Sequence, residues 1–206
     1  TTARIMAMAL NARGGPDYSF DHNEESSREI AEGRSLDVLE IDGASNRGIE
    51  EIRGLREQIK FAPMNGSFKV IIIDEVHMLS KGAFNALLKI MEEPPAYLMF
   101  ILATTEINRV PDTIVSRSQV FNFKKISIDD IVERITYIAE QEKIAYDEEG
   151  LRLIAKLANG AMRDGIKYLE QVSMLGTVTV ETVTRFLGVV SEVVLQQFVD
   201  LLKAKD

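Results

Sequence analysis

Residues Val70-Ile71-Ile72-Ile73 form an unbroken apolar, β-branched run that ends in two adjacent acids, Asp74 and Glu75. A strand with one wet face alternates polar and apolar residues. A strand without that alternation is covered on both faces, which argues for a parallel sheet sandwiched between helices. The run therefore predicts a layered α/β core. It also places two carboxylates at the carboxyl edge of the sheet, the edge at which open parallel sheets bind ligands.

The rest of the N-terminal part agrees with such a core. The pattern predicts strands over 36–41, 69–73, 97–103 and 119–123. Helices are expected over 1–11, 25–32, 47–60 and 80–93, and a short one begins at Pro111. In the third of these helices Ile49, Ile52, Leu55 and Ile59 recur at helical spacing; in the fourth, Phe84, Leu87, Leu88 and Met91 do so before Pro94-Pro95 stops it. Strands alternating with helices imply parallel pairing. After Lys124 the pattern is helical only, with helices expected over 128–142, 147–158, 162–175, 179–187 and 191–203.

The adjacent acids Asp74 and Glu75 repel one another unless a cation or partner is present. In P-loop NTPases the first of such a pair helps hold Mg²⁺, and the second commonly positions the attacking water. Thr104-Thr105 follows the next apolar strand at the same edge, and it fits either a hydroxyl near a phosphate or ordinary solvation of a strand end. Arg117 alone reads as a surface ion pair. Arg163, close behind the start of a helix, suits neither the helix dipole nor a routine cap, which favours a phosphate-facing role. Ser45 and Asn46 read as a helix cap. His77 is not expected to ligate metal with Asp74 and Glu75, because three side chains so close in sequence are not expected to converge.

Composition excludes several alternatives. There are no cysteines, so disulfides, thiolate zinc sites and a cysteine nucleophile are ruled out; two histidines, His22 and His77, are too few for an imidazole cage. No apolar run is long enough to span a bilayer, and no signal peptide is seen. The net charge of −8 does not favour nonspecific DNA binding, so any nucleic-acid contact is expected to be local or assembled from several subunits. The chain opens at Thr1 without a methionine, as expected of a processed chain or a fragment, and a fragment is favoured.

With these elements placed, the chain resembles the γ/τ subunits of the bacterial DNA polymerase III clamp loader, a family of AAA+ ATPases. The resemblance runs through Ala3-Arg4-Ile5, Leu39-Glu40-Ile41-Asp42-Gly43-Ala44-Ser45 and Asp74-Glu75-Val76-His77-Met78-Leu79. It continues through Phe84-Asn85-Ala86-Leu87-Leu88-Lys89, Glu92-Glu93-Pro94-Pro95, Leu102-Ala103-Thr104-Thr105, Ser116-Arg117 and Gly160-Ala161-Met162-Arg163-Asp164. It implies an α/β core over 1–124, a three-helix lid over 125–176 and the start of a helical collar from 177. It also implies ATP and Mg²⁺, with Asp74 and Glu75 as the Walker B acids, Asp74 toward Mg²⁺ and Glu75 toward water. Thr105 matches the sensor-1 position and Arg163 the sensor-2 arginine. Arg117 matches the arginine finger acting in trans. The implied partners are the δ and δ′ subunits, further γ/τ copies, the sliding clamp and primer–template DNA, in the bacterial cytoplasm and with no membrane.

Three departures stand against the family pattern. The Gly-rich Walker A loop, expected just before Thr1, is absent, so this chain by itself is expected to bind nucleotide poorly. The family's four zinc cysteines, expected in the region of Ala12 to Ser27, are missing, so no zinc is expected. Ser118 stands where the family has cysteine after Ser116-Arg117. The alternative readings are a nonhydrolysing, δ′-like structural subunit, which is expected to lose the Walker B acids and the sensor threonine, and a helicase using Asp74-Glu75-Val76-His77. The latter needs a second α/β motor domain that the helical C-terminal part does not offer.

Overall fold

A computed structural model of the chain describes residues 1–46 and 48–188. The chain divides into two compact units, Thr1–Phe121 and Asn122–Asp206.

In the first unit three parallel strands, β1 (Val38–Asp42), β2 (Lys69–Asp74) and β3 (Leu98–Leu102), form a sheet in the order β1-β2-β3. β2 is central, and every residue from Lys69 to Ile73 is buried. Its alternate side chains feed two cores. Ile71 and Ile73 pack with α3 (Ile49–Ile59), α4 (Lys81–Glu92) and α5 (Asp112–Val115) through Ile52, Leu55, Ile59, Phe84, Leu87 and Ile114. Val70 and Ile72 pack with α1 (Thr2–Leu10) and α2 (Glu25–Ala31) through Ala7, Met8 and Ile30, with Phe20 of the intervening loop beside them. The absence of alternation in β2 is thus explained by helices on both faces.

Polar groups tie the helices to this sheet. The Arg4 guanidinium on α1 donates to Glu40 at 2.7 Å and to the Ala31 carbonyl at 2.9 Å, and the Glu40 carboxylate raises its pKa. Lys69, buried at the start of β2, donates to the carbonyls of Gln58 and Phe61 at 3.1 and 3.2 Å. Tyr97 donates to the Ile59 carbonyl at 3.1 Å. Together they satisfy carbonyls that α3 leaves open at its C-terminus, where a cation is also favoured by the dipole. Asp37, 3% exposed, accepts backbone N–H groups from Met64, Asn65 and Gly66 at 2.7, 2.7 and 2.9 Å. That carboxylate folds the turn leading into β2.

The second unit holds α6 (Ile128–Gln141), α7 (Glu148–Leu157), α8 (Met162–Ser173) and α9 (Val180–Leu187). Ile131, Ile135, Leu151, Ile154, Leu169, Val172 and Val183 close one core among them. Side chains cap three of these helices: Ser127 accepts from Asp130, Asp147 from Gly150, and Thr179 forms a capping box with Thr182. None of the described helices is long and apolar enough to cross a membrane. The helix expected over 191–203 lies outside the described residues.

Two local expectations are corrected. The strand expected over 119–123 does not form: residues 119–123 join no ladder, and Val120, Phe121 and Phe123 are exposed. Residues of high strand preference such as Val120, Phe121 and Phe123 do not by themselves make a strand without a neighbour to complete its hydrogen bonds. Ser45 and Asn46 do not cap α3, whose N-cap is Gly48 without a side-chain bond. Ser45 Oγ donates to Asp42 Oδ2 at 2.6 Å, and Asn46 Nδ2 donates to the Asp42 carbonyl at 3.1 Å. Both close the turn after β1 instead.

Candidate functional site

The carboxyl edge of the sheet carries the chemistry expected of it. β1 and β2 both end in Ile-Asp, and the ladder sets Asp42 directly beside Asp74. Asp42 is turned into its own loop, accepting Ala44 N–H at 2.8 Å and the Ser45 hydroxyl. Asp74 is exposed at the strand tip. Gly43 fits between them: its N–H donates to the Asp74 carbonyl at 2.8 Å. A Cβ there would lie 2.9 Å from that carbonyl oxygen and 2.7 Å from that of Glu75.

Glu75 follows in the left-handed region, at φ 47° and ψ 45°. A non-glycine residue held there is strained, by about 1–3 kcal/mol, and such strain clusters at functional sites. The conformation ends β2 abruptly and opens a single 3₁₀ turn over Val76–Met78. It also turns the two acids apart. Glu75 N–H donates to Asp74 Oδ1 at 3.0 Å, and the Glu75 carboxylate turns away to accept the Thr105 hydroxyl on Oε2 at 3.2 Å. β3, adjacent to β2 in the sheet, delivers Thr104 and Thr105 beyond its end, where the Val76 N–H donates to the Ala103 carbonyl at 3.0 Å.

His77 contacts Glu75 but not Asp74, so the three side chains do not all converge. Because Glu75 is left-handed and the next residues coil tightly, the His77 side chain does reach Glu75. Nδ1 lies 3.3 Å from Glu75 Oε2 and 2.9 Å from Thr104 Oγ1, and Nε2 lies 3.3 Å from Glu106 Oε1. Among the described residues no group of three or more histidine, aspartate and glutamate side chains forms a metal cage. Glu106 escaped the sequence reading; its position just past Thr104-Thr105 was the available signal.

Arg117 sits just beyond α5, partly exposed. It donates to the Thr113 carbonyl at 2.9 Å, and its other terminal nitrogen lies 3.9 Å from a Glu92 oxygen. That ion pair is long and solvent-exposed, so it holds the guanidinium weakly. Arg163 occupies the first turn of α8 in the second unit, exposed and without an ion pair among the described residues. The first unit thus brings together Asp74, Glu75 and Thr105.

Comparison with known proteins follows the same division. A family model described as "DNA polymerase III, delta subunit" matches residues 1–127. One described as "DNA polymerase III clamp loader subunit, ATPase lid domain" matches residues 130–177. The DNA polymerase III subunit tau of Bacillus subtilis is 43% identical over all of this chain and 37% of its own length. The subunit gamma of Buchnera aphidicola subsp. Acyrthosiphon pisum is 41% identical over all of this chain and 58% of its own length. The chain therefore spans roughly a third to three fifths of these relatives. Among solved structures, the Thermotoga maritima RuvB Holliday junction branch migration motor superposes with a TM-score of 0.62 at 17% identity, covering 78% of this chain and 55% of that one. At that identity the likeness bears on the fold alone, a parallel sheet flanked by helices. With both units matched and whole-chain identity near two fifths, this chain belongs to the family of DNA polymerase III clamp-loader subunits.

Proposed function

We propose that the chain is the motor portion of a γ/τ-type subunit that hydrolyses ATP to load a sliding clamp onto primed DNA during bacterial replication. The observation that carries this reading is the meeting of the Thr105 hydroxyl and the Glu75 carboxylate beside Asp74. A purely structural subunit has no use for that arrangement.

The donor set suits the cofactor. Mg²⁺ takes hard oxygen ligands and is usually held by only one or two protein carboxylates together with substrate phosphates. Asp74, exposed at the tip of the central strand, is such a ligand. Mg²⁺–ATP brings the transferable γ-phosphoryl group and neutralises its charge. Glu75 orients a water and accepts its proton, and Thr105 couples the position of that carboxylate to the γ-phosphate. Arg163 of the helical unit serves the nucleotide of its own subunit, and Arg117 serves that of a neighbour. The weak tether of Arg117 to Glu92 leaves it able to exchange partners.

Partners on this reading are the δ and δ′ subunits, further γ/τ copies, the clamp and primer–template DNA, in the bacterial cytoplasm. The units are read as a core over 1–124, a lid over 125–176 and a collar from 177.

The test is ATP turnover by a full-length subunit carrying this chain, assembled with its partner subunits, with and without clamp and primed DNA. Turnover that rises with both additions and vanishes in Glu75→Gln supports the reading. Failure of the full-length subunit to bind nucleotide would establish instead a nonhydrolysing, δ′-like role. The helicase alternative is disfavoured by the wholly helical character of the described second unit.

A further inference from the structure

His77 has no part in the roles assigned above, yet its ring is engaged at both nitrogens while its side chain is only 5% exposed. An ordinary core histidine satisfies itself on nearby carbonyls. Here all three partners, Glu75, Thr104 and Glu106, belong to the carboxyl edge of the sheet. Thr104 Oγ1 also accepts the Glu106 N–H at 3.0 Å, and Glu106 Oε1 accepts from Arg109 Nη1 at 3.0 Å. A continuous chain of contacts therefore runs Arg109, Glu106, His77, Glu75. It ends on Oε2 of Glu75, the same oxygen that accepts from Thr105. Among the described residues nothing bonds the other oxygen, Oε1.

The two nitrogens treat Glu75 differently. With a proton on Nδ1, the ring donates to Thr104 Oγ1 at 2.9 Å and turns its positive edge toward Glu75 Oε2, 3.3 Å away. With the proton on Nε2, the ring donates to Glu106, and Nδ1 accepts from Thr104 while presenting a lone pair to Glu75. The ring thus lies against the same oxygen of Glu75 that Thr105 bonds.

We propose that His77 is a positioning residue for Glu75: the Nδ1 side fixes Oε2 so that Oε1 is left facing the water to be activated. Glu106, braced by Arg109, and Thr104 hold the imidazole in place. This rests on the assignment of Glu75 to hydrolysis.

The experiment uses the full-length subunit in its assembled complex, measuring kcat and, separately, ATP affinity. His77→Ala is expected to lower kcat about tenfold or more while ATP affinity stays within about twofold, the range typical of losing an outer-shell support. His77→Asn places an amide where Nδ1 was and is expected to restore much of kcat. His77→Gln places it near the Nε2 position and is expected to restore less. This pair keeps the test alive if His77→Ala fails to fold. In a Glu75→Gln background, His77→Ala is expected to change the residual rate by less than about twofold, because the two residues act as one unit. The proposal is overturned if His77→Ala hydrolyses normally while Glu75→Gln does not, if Gln rescues better than Asn, or if the double variant falls well below Glu75→Gln. Normal turnover by Glu75→Gln itself would remove the hydrolytic role of Glu75 and the proposal with it, an outcome distinct from the others.

Discussion

Gly43 abuts the main chain of Glu75, so closely that a Cβ at 43 would lie 2.7 Å from the Glu75 carbonyl oxygen and 2.9 Å from that of Asp74. The loop after β1 thereby buttresses the backbone that holds Glu75 in its strained conformation. Because the clashing atoms are main-chain, they cannot swing aside as a side chain would. Gly43→Ala is expected to destabilise the first unit by about 1–3 kcal/mol, the usual range for overpacking, as read by urea denaturation. It should also depress turnover in the assembled complex more than ATP affinity, since the displaced residue is Glu75.

Asp37 is the second place where one side chain decides local structure. Its carboxylate receives three backbone N–H groups from residues 64–66. Asp37→Asn keeps the shape but turns an amide N–H toward these donors. The expected loss is about 2–4 kcal/mol, the sum of weakened charge-assisted bonds and an unsatisfied donor. Denaturant midpoints would show it, and amide exchange should accelerate at Met64, Asn65 and Gly66 ahead of the sheet. A loss below about 1 kcal/mol would mean that the turn is held by something else.

Arg117 is expected to act only across an interface. Arginine fingers contribute a factor of about 10³–10⁵ in rate. Arg117→Ala should therefore nearly abolish turnover of the assembled complex while leaving ATP binding and the melting temperature of the isolated chain unchanged. Its ion pair with Glu92 is too long and too exposed to stabilise the fold appreciably. Normal hydrolysis by the assembled variant would remove the assignment.

In the second unit Tyr146 titrates above the ordinary tyrosine value of 10.0, because of desolvation first and then the nearby charge of Glu140, which also accepts its hydroxyl, and of Glu148. A raised value means that the fold favours the neutral phenol. The stability it contributes is fully present below the unfolded tyrosine pKa and is lost as pH rises through the folded value. Difference absorbance between the parent chain and Tyr146→Phe should show tyrosinate appearing later than in a free tyrosine. The variant should also lose less stability than the parent between neutral and strongly alkaline pH.

The parts of this fold visible in the sequence were those with a local signature. β2 announced itself because four consecutive β-branched residues admit few other placements, and α3 and α4 because Ile52, Leu55 and Phe84, Leu87 repeat at helical spacing. Asp74, Glu75 and Thr105 were legible as strand-end residues, since the edge of a parallel sheet is a predictable location. The strand expected over 119–123 failed because its composition was right and its partner was missing. Asp37 and Lys69 were invisible for another reason: Asp37 bonds residues 27 to 29 positions away, and no local pattern encodes such a meeting. The contact of His77 with Glu75 was not foreseen, because the left-handed turn at Glu75, which redirects the chain, is not foreseeable for a glutamate.

The anchoring of α3 has a mechanical consequence. Its C-terminal carbonyls are fastened by Lys69 at the start of β2 and by Tyr97 just before β3, while its first turn, at Ile49, carries no side-chain cap. The helix is therefore bonded by side chains at the amino edge of the sheet and held along its length by the packing of Ile52 and Leu55, so that any tilt pivots at its C-terminal end. Eleven residues give an arm of about 16 Å at 1.5 Å per residue, so a tilt of about 5° displaces the tip by roughly 1.4 Å. A movement that small at the fulcrum becomes, at the site, the difference between touching and missing a hydrogen-bonding partner.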